Sequence, residues 1–166
     1  CSDQVYIPDG LKMKGIISED KNGMQSYMEW RQARNLIEPE IVYRVAQTAS
    51  DELIEKLRRI NQEQHNAIGN SLLYNQKDIE FHMAIVEAYG NPIITNIMHQ
   101  LLENHNMMTY GNDQFGFLGG IYYHVLITDA IIRHDAKEAR DLMLDHGLQT
   151  KKTDSGEKRE WAPIRL

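Results

Sequence analysis

Cysteine is nearly absent: the 166-residue chain has one, Cys1, so no disulfide can form within it. A small disulfide-stapled domain is thereby excluded, and the usage fits a reducing, cytoplasmic setting. Proline (4) and glycine (11) are scarce and gather at a few joints. No segment alternates polar and apolar residues for long, which argues against a sheet and for an all-α fold. No apolar run approaches the ~18–20 residues of a membrane span, so no membrane partner is expected. Basic residues are the minority, 18 against 24 acidic, for a net charge of -6. A chain of that sign does not grip nucleic acid by itself. What remains is 42% hydrophobic and 25% charged, the composition of one globular domain.

One stretch organises the rest, Asn75 to Pro92. It reads as a helix capped by Asn75, closed by Gly90, with Asn91-Pro92 opening the next. At 100° per residue Ile79, Phe81, Ile85, Val86 and Tyr89 share an apolar arc, with Glu80 and Glu87 opposite. Asp78 and His82, four apart and therefore neighbours, lie near the middle of that arc. A carboxylate and an imidazole placed there need partners, because unpaired buried charge is costly.

The chain on either side is also helical. Residues 1–24 read as a linker or arm, with a short strand at Val5–Gly10. From Gln25 to Ser50 the residues Tyr27, Trp30, Arg34, Ile37, Ile41 and Val45 share a face, and Pro39 is expected to kink the helix or start another. Arg34 on that face has two readings: an ion pair to Glu38 one turn on, or a guanidinium aimed at a carboxylate ligand. Ser50 caps the next helix, whose inner face carries Leu53, Leu57, Ile60 and Gln64, while His65 lies in a polar run as a surface histidine. Residues 92–108 place Ile94, Ile97, Met98, Leu101, Leu102, His105 and Met108 inward. The glycine-rich span 110–120 reads as a loop without phosphate-loop spacing. Ile121 to His134 puts His124 at the centre of an apolar face. Asp135 caps the last helix, with Glu138 completing a capping box. That helix turns His146 inward, and Gly147 marks its expected stop, leaving 151–166 as a tail.

Three helices thus each direct a histidine to the core, and one adds an aspartate. Three imidazoles and a carboxylate suit zinc, nickel, cobalt, iron or manganese, and facing helices of a bundle are a usual place for them. Such an ion can keep open positions for a small carboxylate, whose far end Arg34 could fork.

The sequence Arg34-Asn-Leu-Ile-Glu38-Pro39, then Asp78-x-x-Phe81-His82, Gly90-Asn91-Pro92, His124-x-x-Ile127-x-x-Ala130-Ile131, Asp135, Ala139 and His146, resembles the FCD effector-binding domain of GntR-family bacterial transcription regulators. The resemblance covers about residues 25–150. It implies an antiparallel bundle of six to seven helices around a central metal and effector cavity, with Asp78, His82, His124 and His146 holding a divalent ion, zinc before nickel, manganese or iron. Arg34 would line the effector site, taking an organic acid or sugar acid; His105, inward by helical spacing alone, reads either as a further pocket residue or as a core histidine bonded to a backbone carbonyl. It also implies a homodimer, and operator DNA bound through a preceding winged helix-turn-helix that this sequence lacks.

Two other readings compete with a non-enzymatic sensor. A metal-dependent hydrolase-like enzyme would need a general base near the metal, and no acidic residue besides Asp78 is expected at the centre of an inner face. A purely structural bundle would pair its histidines internally.

Overall fold

The computed structural model describes residues 23–103 and 114–153. They form six helices: α1 (Gly23–Gln47), α2 (Asp51–Asn66), α3 (Ser71–Tyr89), α4 (Pro92–Glu103), α5 (Gln114–Ile132) and α6 (Ala136–Thr153). The all-α expectation holds, with no strand among the described residues. The expected strand at Val5–Gly10 and residues His105 and Met108 lie outside them. No described helix is long and apolar enough to cross a membrane.

Local chemistry sets most of the boundaries. Ser50 accepts from the Leu53 amide, and Asn91 from the amides of Ile93 and Ile94 ahead of Pro92. Asp135 accepts from the Glu138 amide, as a capping residue should. Gly90 closes α3 at φ 76°, the left-handed conformation that glycine adopts without a Cβ penalty. His134 closes α5 in the same region at φ 53°, and its ring Nδ1 donates to the Ala46 carbonyl at 2.8 Å, tying that corner to the end of α1.

Four expectations need correction, and the first is Ile97, expected inward but 40% exposed on α4. Asn70, not Asn75, caps α3, accepting from the Leu73 amide at 3.2 Å. Gly69 at φ 94° turns the chain just before it, and Asn75 is buried inside the helix. Of the two outcomes expected at Pro39, a kink or a new helix, the second is ruled out, since α1 continues through it. Residues 114–120 are not a loop but the first turns of α5. Gly120 belongs there because a Cβ would lie 2.6 Å from Tyr74 Oη, so it serves close helix packing and not a turn. Gly147 likewise ends nothing. It lies inside α6, where a Cβ would overlap the Asn35 side-chain amide of α1.

The packing order follows from these close approaches. α1 lies along α6, α6 along α5, α5 against α2, and α2 against α3, while α4 packs on α3. Helices joined by connections of two to four residues and packed together run antiparallel. The core between them is filled by Leu57, Ile60, Phe81, Ile85, Met98, Leu102, Ile121, Ile127 and Ile131, all essentially sealed from solvent. Each such side chain contributes on the order of 1.5–3 kcal/mol by leaving water. Within this apolar filling sits a polar inclusion drawn from five of the six helices.

Candidate metal centre

Asp78 and His82 come from consecutive turns of α3, His124 from the middle of α5 and His146 from α6. The structure brings all four together: one ligand atom from each lies within 4.8 Å of the others. Nε2 of His146 is 3.2 Å from Nε2 of His82 and 3.3 Å from Nε2 of His124. The Asp78 carboxylate is 3.5 Å from His124 Nε2 and 3.9 Å from His82 Nε2. Ligands about 2.0–2.2 Å from one ion, at tetrahedral or octahedral angles, stand about 3–3.6 Å apart as neighbours and about 4.2 Å apart across it. The three shorter separations lie in the neighbour range and the 3.9 Å one falls between the two.

Hydrogen bonding also prepares the imidazoles. Gln64 of α2 directs its amide nitrogen to Asp78 Oδ1 at 3.3 Å, and its carbonyl oxygen therefore faces His124 Nδ1 at 2.7 Å. The Asp78 carboxylate accepts and the amide nitrogen only donates, so the orientation of Gln64 is fixed and His124 carries its proton on Nδ1. Its Nε2 lone pair then points to the cluster. His82 is approached differently, with the contact on Nε2 and only a longer carboxylate distance at Nδ1. Arg34 Nη2, which can only donate, lies 2.9 Å from His82 Nε2, and Glu38 Oε1 faces Nδ1 at 3.4 Å. A donor at Nε2 requires that nitrogen to accept, which places the ring proton on Nδ1. Imidazole Nε2 atoms beside a carboxylate are what a cation needs, and outer hydrogen bonds that fix the tautomer, as Gln64 does for His124, are the usual support of metal-bound histidine.

Burial works in the same direction. Desolvation lowers the pKa of His124 to about 3, with the Arg34 charge adding to the effect. His146 is half-buried as a residue, but its Nδ1 is sealed from solvent without a hydrogen-bond partner among the described residues. Desolvation, then the neighbouring His124, holds its pKa well below the usual histidine value. Metal ligation requires neutral imidazole, and the fold keeps both rings neutral near pH 7.

Of the residues expected at the site, Arg34 is present and buried. It forks Glu38 through Nε at 3.1 Å and Nη2 at 3.0 Å, and the same Nη2 reaches His82. Of the two readings of Arg34 the structure shows the ion pair to Glu38, at the edge of the cluster. Glu38 corrects another expectation, because Asp78 is not the sole acid on an inner face: Glu38 is only 5% exposed. Burial raises its pKa, and Arg34 opposes that shift. With both oxygens engaged by Arg34 it is no free general base. His65, expected at the surface, is half-buried on α2 away from this set, its Nδ1 without a hydrogen-bond partner among the described residues.

Sequence reasoning placed Gln64 on the inner face of α2 but gave it no role; a polar residue at the centre of an apolar stripe was the available signal. It also missed Arg31, which donates through Nε to the Gly147 carbonyl at 2.9 Å and through Nη2 to that of His146 at 3.3 Å. Arg31, Arg34 and Glu38 fall on one face of α1 by helical spacing. A helix that supplies no ligand therefore touches two of the ligand-bearing residues.

The FCD domain family profile matches residues 29–149. The chain belongs to the FCD family. Among curated proteins, this FCD chain is 27% identical over 132 residues to the HTH-type transcriptional repressor NanR of Enterobacter sp. (strain 638), covering 70% of the chain and 46% of that protein. It is 26% identical over 132 residues to NanR of Escherichia coli (strain K12), with the same coverage. The FCD chain thus spans about half the length of the curated relatives it matches, and those relatives are named as repressors, not enzymes. Among solved structures, Streptococcus agalactiae GntR superposes with a TM-score of 0.70 at 20% identity, covering 82% of this chain and 66% of that one. That likeness establishes the helical fold.

Proposed function

We propose that this FCD domain binds a divalent cation through Asp78, His82, His124 and His146, and a small carboxylate-bearing effector beside it, as the sensing part of a GntR-type transcription regulator. The observation that carries the reading is the convergence of one ligand atom from each of these four residues within 4.8 Å, with the Nε2 lone pair of His124 facing the Asp78 carboxylate. Zinc is the first ion to test, with nickel, manganese and iron behind it, since imidazole and carboxylate donors without thiolate accept all four. Arg34 supplies the positive fork for an organic acid or sugar acid. Operator DNA would be met by a winged helix-turn-helix preceding this domain, as the relatives' description as HTH-type repressors supports. In a homodimer the spacing of two such heads would respond to the effector, provided the effector binds one arrangement more tightly than the other.

A thermal-shift screen of tag-free protein against organic acids and sugar acids, with and without added cation, tests this. Cation alone should raise Tm, and a matching acid should raise it further only when cation is present. A ligand at ~100 times its Kd adds about 2.7 kcal/mol, several degrees for a domain of this size. No shift with any cation would overturn the reading.

A further inference from the structure

We propose that Arg34 and the bound cation compete for a single lone pair, that of His82 Nε2, so that filling the cation site turns the Arg34 guanidinium away from His82 and toward an effector carboxylate. This rests on the cation reading above and adds a direction to it.

A neutral imidazole has one lone pair in the ring plane. In this structure Arg34 Nη2 takes it at 2.9 Å. The same lone pair belongs to the set that would hold the ion, because His82 Nε2 is also 3.2 Å from His146 Nε2 and 3.9 Å from Asp78 Oδ2. A guanidinium N–H and a divalent ion cannot both use it, and two positive charges at that separation repel strongly in a dry interior. Arg34 does not have to leave altogether. Glu38, four residues on along α1, grips it at two points, Nε at 3.1 Å and Nη2 at 3.0 Å. The grip makes Glu38 a pivot: the cation frees one N–H of Nη2 while the ion pair persists. The freed N–H, presented from the edge of the cluster, is the donor that an incoming carboxylate would accept from.

Effector affinity then depends on the cation even for a carboxylate that never touches it. Coupling of this kind is reciprocal. It also sets a sign that a simple supporting role for Arg34 would not give: removing the arginine should tighten cation binding.

The test is chelator competition with Zn²⁺ or Co²⁺ on the whole chain, comparing the wild type with Arg34→Met, with the double variant Arg34→Met/Glu38→Gln, and with each change in a His82→Ala background. Arg34→Met should bind cation about tenfold tighter, the scale of one charge-assisted hydrogen bond. The double variant preserves net charge and leaves no buried carboxylate unpaired, so it serves if the single change fails to fold. A gain there is owed to the freed lone pair and not to charge. Both gains should vanish in the His82→Ala background. Wild-type protein that binds cation, with equal or weaker binding in both arginine variants, overturns the competition and leaves the proposed function standing. Wild-type protein that binds no cation overturns both.

Discussion

Gln64 accepts a 2.7 Å hydrogen bond from His124 Nδ1, and that bond decides which nitrogen of His124 faces the cluster. Replacing Gln64 by Met keeps the volume but removes both the acceptor for His124 and the 3.3 Å donor to Asp78. Cation affinity should fall about 10–100-fold, the usual effect of losing an outer-shell partner. Chelator competition measures it. Undiminished affinity would mean that the tautomer of His124 is set elsewhere.

His124→Ala should lower cation content and thermal stability together. The ring is fully buried and stacks on Phe81 with centroids 3.9 Å apart, so its loss leaves a cavity as well as a missing ligand. A loss of about 2–4 kcal/mol is expected from the cavity alone, seen in chelator-treated protein by denaturant unfolding. His65→Ala should leave cation content unchanged, and a lost ion there would mean the cluster has been misassigned.

Acid should unfold the chelator-treated domain from an unusually high pH. His124 and His146 stay neutral in the fold while their unfolded counterparts take protons near pH 6.5. Lowered folded pKa values of this kind give stability that is whole above pH 6.5 and drains as the pH falls toward about 3, the folded value for His124. Each histidine contributes a slope of up to about 1.4 kcal/mol per pH unit. Glu38 acts the other way, since its raised pKa favours the fold as the pH falls toward 4.5, but it is one group against two. A flat stability profile between pH 6.5 and 5 in urea titrations would contradict the burial of neutral rings.

Much of this was legible in the sequence because the same residues carry local and tertiary signals. The four-residue spacing of Asp78 and His82, the lone central position of His124, and Asn91-Pro92 and Asp135 at helix starts need no partner to be read. The glycines misled. Gly116, Gly119, Gly120 and Gly147 look like breaks one residue at a time, yet all lie inside helices. At Gly120 and Gly147 the absence of a side chain answers to a neighbouring helix, which no local pattern reveals. The role of Gln64 was hidden for a related reason. It depends on His124 and Asp78 arriving from two other helices.

Gly147→Ala should therefore destabilise the domain, although alanine is the better helix former by about 1 kcal/mol. The added Cβ overlaps Asn35, so α1 and α6 must part beside His146. A net loss of about 1–3 kcal/mol is expected, with much of it recovered in the double variant Asn35→Ala/Gly147→Ala, where the obstructing amide is gone. Additive losses in denaturant unfolding would place the cost elsewhere.

X-ray absorption on tag-free protein loaded with one equivalent of zinc tests the cation assignment most directly. The predicted spectrum has a first shell of nitrogen and oxygen only, at about 2.0–2.1 Å. It should carry outer-shell scattering from about three imidazoles, falling to two in His82→Ala, His124→Ala or His146→Ala. Imidazole scattering that stays the same across those three variants would place the ion elsewhere and contradict the account.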